Sequence, residues 1–390
     1  MYYFDNSATT LKKPSGVAEA VYHAIADEQL GNPARGSHDA ALNALRLTES
    51  VRQQVAALFG VCDASHVSFM PNATTALNTA IRSLLSPEDH ILTTVTEHNA
   101  VLRPLYQLEE RGAKLSFVPV DEDGILQYQA FEELLRPDTR AVVINHASNV
   151  TGNVVDLDWI GRFCQKHRLL LIVDAAQSAG ILEINMEQQH IDALCFTGHK
   201  SLYGPQGTGG LCLASKTHQL KPVFTGGSGF HSFDKQFPTD LPTVFEPGTQ
   251  NVHGLAGLKA GLSYVNEHGL SALRQKVNSL AADFAHQIKT IPGVQLYGKY
   301  EEQTTSPIKM ARVPVVSLNL TNWSSGDLSD ALFMDHDIAV RPGAHCAPLI
   351  HQALGTEKQG MVRFSFSSFN TTEEVTHAVK ALQELAKESM

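Results

Sequence analysis

Apolar positions along the chain form short continuous runs, and between them come stretches in which they recur at helical spacing. Val67–Met70, His90–Val95, Lys114–Val118, Thr139–Asn145 and Leu169–Val173 have the length and apolar content of strands. Thr74–Leu85, Asn99–Arg111, Gln129–Leu135 and Leu157–His167 repeat apolar residues every three or four positions and predict helices. Two earlier helices are predicted at Gly16–Gln29, with Ser15 as cap, and at Ala40–Phe59, joined by a loop over 32–38. A strand-then-helix alternation of this kind predicts a mostly parallel sheet with helices on both faces. A further apolar run, Asp192–Phe196, leads into the glycine-rich stretch 203–210.

After Gly257 the pattern changes. Helical spacing returns at Leu258–Glu267, Leu270–Thr290, Gly326–Asp335 and Thr372–Ala386. Strand-like runs fall at Val294–Leu296, Val313–Leu320, Ile338–Arg341 and Gly360–Phe366. The expected architecture is α/β: a large domain over 15–260 and a small α+β domain over 261–390.

Composition narrows the function. With 390 residues, 43% hydrophobic and 18% charged, the chain has enough apolar sequence for two cores. A formal net charge of −10 argues against a nucleic-acid partner, which calls for basic excess. No apolar run reaches the roughly 18–20 residues of a membrane span. The opening Met-Tyr-Tyr-Phe-Asp lacks the basic and apolar regions of a secretory signal, so a cytoplasmic location is expected. The five cysteines form no CxxC pair, and neither a metal site nor a disulfide framework is expected. Cys195 and Cys212 lie in apolar runs and Cys164 in a helical pattern, whereas Cys346 lies in the loop Arg341-Pro-Gly-Ala-His-Cys-Ala-Pro348. A thiol between Arg341 and His345 has positive charge nearby to favour thiolate, the reactive form.

Candidate chemistry gathers at the predicted strand ends. Asp174 ends one apolar run, and Lys200 follows another within Thr197-Gly198-His199-Lys200. In an open α/β sheet, ligands sit at the carboxyl ends of strands, so the two can face one crevice. Pyridoxal phosphate needs a lysine that condenses with its aldehyde and a carboxylate that keeps its pyridine nitrogen protonated. Taken singly, Asp174 also reads as a helix cap and Lys200 as a solvated lysine. Asn72-Ala73-Thr74-Thr75 sits between a strand and a helix, where backbone amides can hold an anion; a simple threonine cap is the other reading. Arg363, a cation inside an apolar strand, suits either a structural ion pair or a two-pronged grip on a carboxylate.

V-D-A-A-Q-S and T-G-H-K-S-L-Y-G-P-Q-G-T-G-G resemble the aminotransferase class V group of pyridoxal phosphate enzymes, specifically cysteine desulfurases and selenocysteine lyases. The resemblance runs nearly end to end. It includes D-N-S-A-T-T at 5–10, N-A-T-T-A-L-N at 72–78, T-E-H-N-A at 96–100 and S-N-V-T-G at 148–152. E-P-G-T-Q-N at 246–251, R-P-G-A-H-C-A at 341–347 and R-F-S at 363–365 complete it.

The resemblance implies a fold type I enzyme in which residues 1–14 return to the small domain or the cleft. Ala73, Thr74, Thr197 and His199 would hold the cofactor phosphate, with Thr249 supplied by the neighbouring subunit of a homodimer with shared sites. His98 would stack on the ring and move protons, and Gln177 would donate to the ring hydroxyl oxygen. Asn149 would lie near cofactor and substrate carboxylate, Arg363 would bind that carboxylate, and Ala8, Thr9 and His38 would line the mouth. Cys346 would attack the sulfur of bound L-cysteine and become a persulfide, leaving L-alanine. Pro342 and Ala344 replace residues expected as Thr or His, while the short loop resembles the branch with a rigid cysteine near the site. Selenocysteine lyase, aminotransferase and C–S β-lyase chemistry remain alternatives, and a sulfur-acceptor protein is a possible partner.

Overall fold

The computed structural model describes residues 1–34, 36–215, 220–300 and 312–388; residue 35, in the predicted 32–38 loop, lies outside them. Its strands are β1 Tyr2–Tyr3, β2 Val67–Met70, β3 His90–Thr94, β4 Lys114–Val118, β5 Thr139–Asn145, β6 Leu170–Asp174 and β7 Ala193–Thr197. There follow β8 Gly209–Leu213, β9 Val294–Tyr297, β10 Val315–Leu320, β11 Ile338–Ala339, β12 Arg341–Gly343 and β13 Met361–Ser365.

Seven strands form one sheet in the order β2-β8-β7-β6-β5-β3-β4. From β7 to β4 neighbours run parallel, and β8 is antiparallel to both β7 and β2. Helices cover both faces because the strands alternate between two apolar sides. Leu171 and Val173 join a core that includes Phe59, Phe131 and Phe163, whereas Ile172 joins one with Leu77, Val101 and Leu105. A second, antiparallel sheet, β12-β13-β10-β9, packs on Leu270–Ile288 and Thr372–Glu388 around Phe284, Phe364 and Leu382. The chain start joins this part: β1 pairs with β11, and Phe4 is buried in the same core. Among the described residues, no helix is long and apolar enough to cross a membrane.

Departures from the predicted elements have local causes. β8 begins with two glycines, which depress strand propensity. Here they are required: a Cβ on Gly209 would sit 2.6 Å from the Phe196 carbonyl oxygen, and one on Gly210 2.6 Å from that of Ser68. The helix expected from Leu258 starts at Val252, capped by the Asn251 side chain. Its Gly257 lets Pro205 and Val21 approach to within 2.5 and 2.7 Å of a would-be Cβ. The run Ile338–Arg341 divides, β11 pairing with β1 and β12 with β13. Ser15 is not a cap: Pro14 precedes the helix and no side chain caps it.

Glu246, in the E-P-G-T-Q-N motif, is structural. Arg52 binds it through two nitrogens at 2.8 and 3.1 Å, and its Oε1 also accepts from the Phe69 amide at 2.6 Å. Both side chains are at least nine-tenths buried. Glu246→Ala leaves the buried Arg52 with only the half-exposed Glu49 and removes the acceptor of the Phe69 amide, so it is expected to cost about 3–5 kcal/mol in denaturant unfolding. A loss below about 1 kcal/mol, the range of surface pairs, would contradict this assignment.

Candidate active site

The register of β5, β6 and β7 aligns the carboxyl ends of the sheet. Asn145 is opposite Asp174, and Asp174 opposite Cys195, two residues before the end of β7. One pocket there is lined by Ala73, Thr74, His98, Asn149, Asp174, Gln177, Thr197, His199 and Lys200. These nine residues come from five separate stretches of the sequence.

At one end the helix Ala73–Leu84 points its N-terminus into the pocket. Asn72 caps it by accepting from the Thr75 amide at 2.9 Å. The cap is therefore asparagine rather than threonine, and the amides of Ala73 and Thr74 keep no protein acceptor among the described residues. Such amides, with the helix dipole behind them, suit an anion.

On the sheet side, Asp174 is buried, and its Oδ1 accepts from the Ala176 amide at 2.9 Å. Burial pushes its carboxyl up, against the pull of the Ala176 amide and the Lys200 charge. A buried carboxyl with an unbonded Oδ2 calls for a cationic or N–H partner in the pocket. Lys200 makes no side-chain hydrogen bond among the described residues. Burial pushes its ammonium down to about 8; Asp174 opposes this shift, while Arg363 and Arg341 add to it. A much larger neutral-amine fraction near physiological pH is what an amine nucleophile needs.

His98 is fixed in one tautomer. Its Nδ1 accepts from the Ala100 amide at 3.0 Å, capping the helix Asn99–Glu109. Burial, followed by the charges of Lys200 and Arg341, pushes it down to about 4, so the ring is neutral. With Nδ1 engaged as acceptor, the proton lies on Nε2. His199 is likewise pushed down to about 4, by burial and then by Lys200 and Lys13, and its Nδ1 pairs with Thr9 Oγ1 at 3.1 Å.

Arg363 stands on β13 and is almost fully buried. Its Nη2 donates to Asp5 at 2.8 Å and its Nη1 to the Asn149 carbonyl at 3.1 Å, while Nε is buried without a partner among the described residues. An orphaned guanidinium N–H beside a pocket is a position for an incoming carboxylate. Asn149 Nδ2 donates to the His345 carbonyl at 2.8 Å, and its Oδ1 is buried and unpaired among the described residues.

The Cys346 loop is tethered at three points. The Asn99 amide donates to the Cys346 carbonyl at 2.6 Å, Asn149 holds the His345 carbonyl, and His345 Nε2 donates to the Arg341 carbonyl at 3.0 Å. His345 and Cys346 both have positive φ, 52° and 56°, a left-handed pair that non-glycine residues adopt only when the surroundings enforce it. The tethers and the buried His345 ring supply that enforcement. The thiol itself is exposed, with Arg341 Nη2 3.9 Å away. Cys164, Cys195 and Cys212 are buried.

Several of the expected residues also make contacts of their own within the chain. His38 is exposed and caps the helix Asp39–Phe59, its Nδ1 accepting from the Ala41 amide at 3.4 Å. Thr249 lies in a separate groove with Phe69, Pro71 and Thr75, outside this chain's own pocket. Gln177 donates to the Ser7 carbonyl at 3.2 Å, and Ala8 is within the turn its amide closes onto the Asp5 carbonyl. Thr197 Oγ1 reaches the Thr208 carbonyl at 3.4 Å.

Sequence reading missed Asp5, whose motif was visible but whose partner lies 358 residues away. It also missed Glu97, adjacent to His98. Glu97 is fully buried, takes a 2.6 Å bond from Thr94 and is pushed up to about 8 by burial.

The model of the aminotransferase class-V family matches residues 2–377. A probable cysteine desulfurase of Methanothermobacter thermautotrophicus is 30% identical over 98% of this chain and 94% of its own length. A cysteine desulfurase of Synechococcus elongatus is 31% identical over the whole chain, which covers 61% of that longer protein. Among solved structures, the apo cysteine desulfurase of Thermococcus onnurineus NA1 superposes with a TM-score of 0.88 at 30% identity, covering 99% of this chain and 94% of that one. The S-sulfonic acid form of the Escherichia coli cysteine desulfurase CsdA does so at 0.87 and 28%, over 99% and 94%. The chain belongs to the aminotransferase class-V family, whose members use pyridoxal phosphate. Within it, it falls in the cysteine desulfurase group, and its activity is that of a cysteine desulfurase.

Proposed function

We propose that this pocket holds pyridoxal phosphate and that Cys346 receives the sulfur of L-cysteine as a persulfide. The observation carrying the proposal is the exposed Cys346 thiol, on a triply tethered loop bonded to Asn99, the neighbour of His98. The residues fit the cofactor. The open amides of Ala73 and Thr74 suit its phosphate, with Thr197 and His199 alongside; Asp174 suits its ring nitrogen and Lys200 its aldehyde. Thr249 would come from the second subunit of a homodimer. Residues 15–260 would then be the cofactor domain, and 261–390 with 1–14 the domain carrying Arg363 and Cys346.

When bound, the cofactor supplies an electron sink that acidifies the substrate Cα–H and weakens its bond to sulfur. The protein supplies the rest. Arg363 takes the α-carboxylate through its free Nε, with Asn149 beside it. Lys200, as free amine, accepts the α-proton. His98 carries its proton on Nε2 and is a donor at rest, so the first proton falls to Lys200 and not to His98. Cys346 Sγ attacks the substrate sulfur: an S–S bond forms, the carbon–sulfur bond breaks, and its electron pair stays with the carbon skeleton. Proton return to Cβ and Cα gives alanine. A sulfur-acceptor protein would then clear the persulfide.

Two results are expected here. Arg363→Lys keeps the charge but loses the planar fork, so KM for L-cysteine should rise about tenfold or more with a smaller change in kcat. An unchanged KM would remove Arg363 from the substrate site. Capture of pyridoxal phosphate by the apoprotein, followed by absorbance, should accelerate as pH rises through about 8 and then level, because Lys200 must be neutral to attack. A rate flat between pH 6 and 9 would contradict this. Product analysis with excess thiol, which reduces the persulfide and releases its outer sulfur as sulfide, tests the function as a whole: alanine and sulfide in equal amounts support it, whereas pyruvate with ammonia, or keto acid without sulfide, would replace it with elimination or transamination.

A further inference from the structure

The N-terminal segment closes over the peptide that precedes the cofactor lysine. Four donors converge on the carbonyl oxygen of His199. Lys13 Nζ donates at 2.7 Å, Thr10 Oγ1 at 3.1 Å, the Thr10 amide at 3.2 Å and Thr9 Oγ1 at 3.3 Å. Lys13 also donates to Thr10 Oγ1, whose single proton is shared between the His199 carbonyl and the Lys200 carbonyl, each at 3.1 Å. The carbonyls on both sides of Lys200 are thus held from one short segment.

Within this cluster Lys13 makes the shortest contact to the carbonyl and carries the only charge. Charge-assisted hydrogen bonds are about twice as strong as neutral ones. Lys13 has no carboxylate partner among the described residues, and burial pushes its ammonium down to about 8. A lysine serving only solubility would extend into water, as long flexible cations ordinarily do. Lys13 instead spends its donors on a carbonyl and a hydroxyl. Pro14 and the helix Ser15–Ala26 follow directly, which limits the backbone freedom of the segment.

Among the described residues Lys200 has no side-chain hydrogen-bond partner, so its aim depends on where its backbone is held. We propose that Lys13 is a positioning residue for Lys200. It pins the His199–Lys200 peptide so that Nζ stays directed into the pocket whenever it is not bonded to the cofactor. The inference rests on Lys200 being the lysine that condenses with the aldehyde. In that condensation the neutral amine adds to the aldehyde carbon and water leaves, so an amine held in place is captured faster without any change in phosphate binding.

The full-length apoprotein of Lys13→Met, Lys13→Arg and the unsubstituted chain is titrated with two probes. Pyridoxal phosphate carries the aldehyde; pyridoxamine phosphate carries the same ring and phosphate without it. Covalent capture of pyridoxal phosphate by Lys13→Met is expected to be about tenfold slower, a typical cost of losing orientation at one hydrogen bond. Its affinity for pyridoxamine phosphate should stay within about twofold, and Lys13→Arg, which restores a cationic donor, should recover most of the capture rate. Capture by Lys13→Met at the unsubstituted rate overturns the proposal. So does an equal loss for both probes, which would indicate general disruption of the pocket. Failure of the unsubstituted apoprotein to capture pyridoxal phosphate at all would overturn the assignment of Lys200 itself, and it is distinguished because it appears before any substitution is made.

Discussion

Lys200→Ala should lower desulfurase kcat by about 10³-fold or more, the scale seen when a covalent nucleophile is removed. Lys200 is the amine whose burial and cationic neighbours push it down to about 8, and it lies in the same pocket as Asp174. Among the described residues no other lysine lines that pocket. The variant should still bind the phosphate and ring, because the amides of Ala73 and Thr74 and the Asp174 carboxyl are untouched. Borohydride treatment followed by denaturation separates the two contributions. The unsubstituted protein should retain its cofactor covalently, and Lys200→Ala should release it. Covalent retention by Lys200→Ala would assign the condensation to another residue.

Cys346→Ser should lower alanine formation from L-cysteine by about 10²–10³-fold while leaving cofactor binding unchanged. Serine is close in size, and the tethers of the loop act through the carbonyls of His345 and Cys346 and through the His345 ring, so the left-handed backbone persists. What is lost is the sulfur nucleophile, since a hydroxyl does not accept sulfur to form a persulfide. Selenium leaves more readily than sulfur, so a selenocysteine lyase would keep its activity on selenocysteine in this variant. Full activity of Cys346→Ser on L-cysteine would exclude the persulfide route. The variant also tests Cys62, the other exposed thiol, which is bonded to Glu187 and lines a different groove. If Cys62 carried the sulfur, Cys346→Ser would be silent.

Much of the site was legible because it is built at strand ends. Runs such as Leu169–Val173 mark a buried strand by composition alone, and the residue after each run falls at the carboxyl edge of the sheet. Asp174 and Lys200 were legible in that way, and Asn72–Thr75 as a turn from strand to helix; Thr197, His199 and His98 were singled out only through the family resemblance.

What remained hidden depends on contacts between distant parts of the chain. Local spacing does not show that Asp5 meets Arg363, that Asn149 meets the carbonyl of His345, or that Glu246 pairs with Arg52. Arg363 was open between ion pair and carboxylate grip; the structure shows the ion pair with Asp5 and leaves Nε over for the second use. β8 was obscured because its glycines serve close packing against Phe196 and Ser68 rather than strand propensity. The resemblance puts His38 at the mouth, and within its own chain the exposed side chain caps the helix that follows it.

The most direct test of the proposed mechanism is peptide mass analysis of the holoenzyme after addition of one equivalent of L-cysteine without reductant, with alanine counted in parallel. One extra sulfur on the Cys346 peptide, matched by one alanine, is the predicted result. Alanine and free sulfide with no added sulfur at Cys346, or with the sulfur on another cysteine, would contradict it.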